Sequence, residues 1–123
     1  MLSTNTYSLG TSSLLWTAVY VTNGTIQTSD RNAKDNIFSL NNSLDFINYL
    51  NPVNYTWKGD TKIHSGLIAQ DVESIDPNFG GLYKEGDKYG LNYSEFIAPL
   101  IKSVQELTQM VKDLKNEIEI LKS

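Results

Sequence analysis

Residues 92–123, NYSEFIAPLIKSVQELTQMVKDLKNEIEILKS, decide how the rest of the chain is read. With heptad position a on Ile97, Val104, Val111 and Ile118, position d falls on Leu100, Leu107, Leu114 and Leu121. Four heptads run without a break, and a sustained 3.5-residue apolar repeat predicts a coiled-coil helix over about 93–122. Glu117 at g and Lys122 at the next e are placed to pair between helices. Asn92 followed by Glu95 reads as a capping box at the start. Pro99 lacks a backbone donor, so a bend is expected there, with the regular coiled coil running from about Lys102. A helix of this length is marginal alone in water, and its stripe needs a cover. That cover is either the chain's own domain or further copies, and four clean heptads favour copies. Val104, Leu107, Val111, Leu114, Ile118 and Leu121 are the expected interface. β-branched a with Leu at d favours two strands in simple peptides, a rule that weakens when another domain sets the symmetry.

Upstream, residues 29–91 read as compact α+β. In LNNSLDFINYL (40–50), Leu40, Leu44, Ile47 and Leu50 share a helical face, and Asn51-Pro52 ends the helix. Residues 53–58 (VNYTWK) alternate apolar and polar as a half-buried strand does, Gly59-Asp60 is a turn, and 63–69 is a second strand. A short helical turn is expected over 70–75, closed by Asp76-Pro77. Residues 82–91 read as a short hairpin punctuated by Gly86-Asp87.

The first 28 residues are of another kind. They contain no charged residue, and all 24 charges of the 123-residue chain lie between Asp30 and Lys122. At the chain's 20% charge density, such a run arises on the order of once in several hundred windows. The segment is rich in Ser, Thr, Asn and Gly. Its β-prone stretches 15–22 and 25–28 flank Asn23-Gly24, a strong hairpin signal. A hairpin alone is marginal, so such chain suits a β-rich fibre completed by other chains. The charge break falls at Ser29-Asp30 and marks a candidate boundary between two kinds of polypeptide, 1–28 and 29–123.

Composition narrows the function. The absence of cysteine excludes a disulfide framework, thiolate catalysis and Cys-based zinc sites, and a single histidine excludes a multi-histidine metal site. No metal and no cofactor are expected. The net charge of −4 argues against non-specific nucleic-acid binding. No run approaches the ~18 apolar residues of a membrane span, and the N-terminus lacks the basic region of a signal peptide. The sequons at Asn23, Asn41, Asn54 and Asn92 are therefore discounted.

Few residues carry candidate chemistry. Ser29 and Lys34 lie five apart at the charge border. A serine hydroxyl needs a base to become a nucleophile, and an amine serves only when neutral. At the ordinary lysine pKa of about 10.4, about one in 2,500 is neutral at pH 7, and an apolar surrounding raises that fraction. On spacing alone the plainer reading is an N-capping Ser29, with Asp30 near the helix start and a solvated Lys34. His64 is the lone imidazole, either a hydrogen-bonded structural residue or a donor to an oxyanion. Asp71 and Glu73 look like a solvated helix face.

Taken in order, TSDRNAK (28–34), LDFINYLNPVNYTWK (44–58), HSGLIAQDVE (64–73) and YGLNYSEFIAPLIKSVQEL (89–107) resemble the intramolecular chaperone auto-processing domain, the peptidase S74 family. This domain ends phage tailspikes, tail fibres and neck appendages. The stretch SLGTSSLLWTAVYVTNGTIQ (8–27) resembles the fibre segment that commonly runs into it. The resemblance implies a homotrimer whose C-terminal helices bundle and which directs folding of an upstream triple-stranded β-fibre of the same polypeptide. It then implies release by cleavage of Thr28–Ser29, with Ser29 as nucleophile and Lys34 as general base in a Ser-Lys dyad. His64, Gln70 and Asp30 are supporting candidates. Ala33 stands where the family often has Leu. The implied fold is α+β, a small mixed domain with a long helix in a trimeric bundle, preceded by a β-rich fibre end. The implied setting is a virion assembled in the host cytoplasm, with no nucleic acid or membrane as partner. The alternative is a trimerisation cap that never cuts.

Overall fold

The computed structural model describes residues 6–123. The chain divides into two compact units, Met1–Phe38 and Ser39–Ser123. The division falls nine residues after the charge border, so the 29–34 segment is grouped with the stretch before it.

In the first unit, residues 6–28 form turns and extended chain with no strand among them. The hairpin expected at Asn23-Gly24 is absent. A type I′ turn needs positive φ at both central residues, and of the pair only Gly24 has it, at 75°. The physical reason is the one that makes any lone hairpin marginal. Val19, Tyr20, Val21 and Ile26 are exposed, so pairing the strands would gain no buried face within one chain. After the border, Arg31–Ala33 makes a single 3-10 turn.

The second unit follows the predicted order. Helix α1 spans Ser43–Tyr49, shorter than the expected 40–50, because Asn42 turns the chain through the left-handed region (φ 57°) and leaves Leu40 outside. Strands β1 (Val53–Tyr55) and β2 (His64–Gly66) pair antiparallel, with Val53 opposite Gly66 and Tyr55 opposite His64. Helix α2 is Ala69–Ile75. Strands β3 (Leu82–Glu85) and β4 (Lys88–Leu91) form the expected hairpin, turned at Gly86 with φ 62°. A 3-10 turn, Tyr93–Phe96, leads into the 26-residue helix α3, Ile97–Lys122.

The bend expected at Pro99 is resolved as a change of helix type. The 3-10 turn gives way to α at Ile97, which leaves Pro99 in the first α turn, where a backbone N–H has no helical partner. Only half of the predicted capping box is present. Asn92 Oδ1 accepts from the Ser94 N–H at 3.2 Å, while the Asn92 N–H donates to the Gly81 carbonyl at 2.7 Å instead of to Glu95.

The core is small. Val72 of α2 and Phe96 are the buried apolar side chains among the described residues. Phe96 lies 4.6 Å from the Phe79 ring and 6.4 Å from Phe46 of α1, joining three separate segments. Two tight approaches explain glycines here. A Cβ on Gly66 would stand 2.8 Å from Tyr93 Oη, and one on Gly81 would stand 2.9 Å from the Asn92 carbonyl oxygen. The β3–β4 hairpin is tied to α2 by Lys84, 3.2 Å from Glu73. The Tyr89 hydroxyl and Glu73 together hold the Lys84 ammonium above its ordinary pKa.

Helix α1 packs against α3, and it does so off the heptad stripe. Ser103 is buried and Pro99, Lys102 and Glu106 are half-buried; at 100° per residue these four share one face, well rotated from the a/d row. Residues 107–122 are exposed throughout. The chain's own domain therefore does not cover the stripe.

Candidate active site

The site is built on the 3-10 turn after the charge border. Asp30 is its N-cap, with extended backbone (φ −71°, ψ 132°), and its Oδ1 accepts from the Asn32 N–H at 2.9 Å. The Ala33 N–H donates to the Asp30 carbonyl at 3.0 Å and the Lys34 N–H to the Arg31 carbonyl at 3.1 Å. Lys34 leaves the turn extended, at φ −123° and ψ 143°. The turn folds the chain back on itself, and Lys34 Nζ lies 2.8 Å from Ser29 Oγ. The N-capping role expected of Ser29 falls to Asp30, while Lys34 stays exposed, as in the plainer reading, and also contacts the serine.

With the lysine charged, its ammonium donates to the serine oxygen. With the amine neutral, the same contact runs the other way, and the hydroxyl donates its proton toward nitrogen. That second arrangement is the one a serine nucleophile needs. Both side chains are exposed in the single chain. The carbonyl carbon that Ser29 can reach most directly belongs to the preceding residue, Thr28.

The other candidates lie in the second unit. His64, on β2, is half-buried in an aromatic group, with its ring stacked on Tyr55 at 5.6 Å and 6.4 Å from Trp57. Gln70, at the start of α2, lines a mixed cleft of about 630 Å³ together with Trp57, Lys58, Asp87 and Tyr89. A second, almost wholly apolar cleft of about 430 Å³ lies between α1, β2 and the start of α3. Val104, Leu107, Val111, Leu114, Ile118 and Leu121 stand in a row on α3, each half or more exposed.

Two residues with structural roles in this unit were not singled out by the sequence. Glu106 reaches from α3 to the first turn of α1, accepting from the Ser43 N–H at 3.0 Å and the Leu44 N–H at 3.2 Å. Tyr93 Oη accepts from the Leu67 N–H at 3.0 Å, fixing the backbone that follows β2. No spacing rule reports either contact, because the partners are 63 and 26 residues apart.

Residues 29–81 match the Peptidase_S74 family model, described as the chaperone of endosialidase. This is the family that the sequence motifs resemble, and the match begins at Ser29. No curated protein matches the chain. Among solved structures, four chains match. One is the carboxy-terminal domain of the bacteriophage T5 L-shaped tail fibre with its intra-molecular chaperone domain, at 19% identity and a TM-score of 0.71. The match covers 94% of this chain and 38% of the T5 chain, and at that identity it shows a shared fold. The mixed α/β architecture with two small antiparallel sheets and a long C-terminal helix is that fold.

Proposed function

We propose that this chain is the intramolecular chaperone end of a phage fibre protein, which assembles as a homotrimer, directs folding of the upstream β-fibre and releases itself by cutting Thr28–Ser29. The observation that carries the proposal is the 2.8 Å approach of Lys34 Nζ to Ser29 Oγ at the first residue of the family match. The fold shared with the T5 domain and the uncovered heptad stripe on α3 support it.

The chemistry is an acyl shift followed by hydrolysis. Neutral Lys34 takes the hydroxyl proton as Ser29 Oγ attacks the Thr28 carbonyl carbon. The new C–O bond forms, the C–N bond to Ser29 breaks, and the departing nitrogen takes a proton. Water then adds to the resulting ester, leaving a Thr28 carboxylate and restoring the serine hydroxyl. The step needs the amine neutral, and an apolar, water-excluding surrounding favours that form of a lysine. Neighbouring chains packed around the turn supply the missing desolvation, so cutting follows assembly. Once the chaperone leaves, intertwined strands of three chains unfold slowly, and the fibre is kinetically trapped in the virion.

Intact mass of the expressed chain tests the proposal. The parent yields a fragment beginning at Ser29, and Ser29→Ala stays whole. If parent and variant both remain whole in assembled oligomers, the chain is a trimerisation cap and the cleavage is wrong.

A further inference from the structure

We infer that Asp30 is the positioning residue of the self-cleaving pair, acting through its side-chain cap on the 3-10 turn and not through its charge. The inference rests on reading Ser29 and Lys34 as that pair. Five extended residues span about 17 Å, so the two side chains meet only if the chain between them turns back. The turn is three residues long and buries none of them, so tertiary packing does not hold it. Its backbone bonds from Ala33 and Lys34 are solvent-exposed, and besides the Lys34–Ser29 contact itself the side-chain support among the described residues is Asp30 Oδ1 on the Asn32 N–H.

What the site gains from residue 30 is an acceptor of the right length, which Asn and Ser also provide at an N-cap.

The experiment compares autocleavage rates in the full chain for Asp30→Ala, Asp30→Asn and Asp30→Ser, with Ser29→Ala and Lys34→Ala as controls and sedimentation to check assembly. Asp30→Ala is expected to assemble like the parent and to cut about 2- to 30-fold more slowly, the range that corresponds to loss of a capping acceptor. Asp30→Asn and Asp30→Ser are expected to cut within about twofold of the parent, since each keeps the acceptor. An Asp30→Asn rate as low as that of Asp30→Ala overturns the inference in favour of a role for the charge. An Asp30→Ala rate equal to the parent's overturns it outright. Cleavage that survives in Ser29→Ala and Lys34→Ala removes the dyad itself, an outcome distinct from failure of the cap.

Discussion

Replacing Glu106 tests whether one long-range contact holds α1 against α3. Helix α1 starts badly by local rules: its N-cap, Asn42, is left-handed and makes no side-chain capping bond. Its first turn instead gives the Ser43 and Leu44 N–H groups to the two oxygens of Glu106, at 3.0 and 3.2 Å, where Ser43 is 2% exposed. Hydrogen bonds to a charged group contribute about 1.5–3 kcal/mol each, and loss of an N-cap acceptor costs about 0.5–2 kcal/mol. Water reaches part of this contact, so we take about 2 kcal/mol for Glu106→Ala and about half that for Glu106→Gln, which keeps one acceptor oxygen. With a urea slope of about 2 kcal/mol/M, Glu106→Ala lowers the midpoint by about 1 M. The measurement is urea unfolding followed by circular dichroism in a Ser29→Ala background, at one chain concentration because assembly adds to apparent stability. Glu119, on the exposed length of the same helix, serves as control; Glu119→Ala is expected to stay within about 0.5 kcal/mol of the parent. If Glu106→Ala unfolds where Glu119→Ala does, the clamp reasoning fails.

The remaining predictions concern association and close packing. Leu107→Ala or Leu114→Ala weakens self-association, since truncating a leucine in a packed core costs about 2–5 kcal/mol, and the cleavage rate falls with it. Sedimentation that finds monomers still cutting at the parental rate breaks the link between assembly and chemistry. Gly81→Ala would place its Cβ 2.6 Å from the Phe79 ring and 2.9 Å from a backbone oxygen, and it destabilises by about 1–3 kcal/mol. Gly80→Ala meets only the Glu95 side chain, at 3.6 Å and beyond, and leaves the thermal midpoint nearly unchanged. Equal melting of the two variants would refute the contact argument.

What was legible in the sequence was whatever local pattern or apolar period sets. Two hairpin halves, a short helix before Asp76-Pro77 and a 26-residue helix came from alternation, turn residues and the heptad. The five-residue spacing of Ser29 and Lys34 marked the site but not its geometry, because the turn depends on Asp30 taking the capping role that spacing alone assigned to Ser29. Elsewhere the failures share a cause, since a second, non-local partner decides the outcome. The Asn92 N–H was expected to meet Glu95 and meets Gly81 because the β3–β4 hairpin returns to that point. Glu106 sits at heptad position c, where a charged residue reads as solvated, yet it caps a helix 63 residues upstream. Pro99 reads as a kink only when the helix is taken as α from residue 93. The 3-10 start removes the conflict.

The missing strands and the bare helix are one problem under the proposed reading. Residues 15–22 and 25–28 are β-prone yet form no strand, because strands with no second layer bury too little apolar surface to offset the entropy of ordering them. Residues 107–122 hold helical form with nothing packed on them, although a helix in water gains most of its stability from a covered face. Bundling of α3 answers both. It covers the stripe directly, and it tethers three copies of the fibre end at an effective concentration on the order of millimolar, so that strand pairing no longer carries the cost of bringing separate chains together. On the proposed reading, burial sets an order of events: the helix, whose stripe is complete in sequence, associates first, the fibre strands pair second, and the bond is cut last.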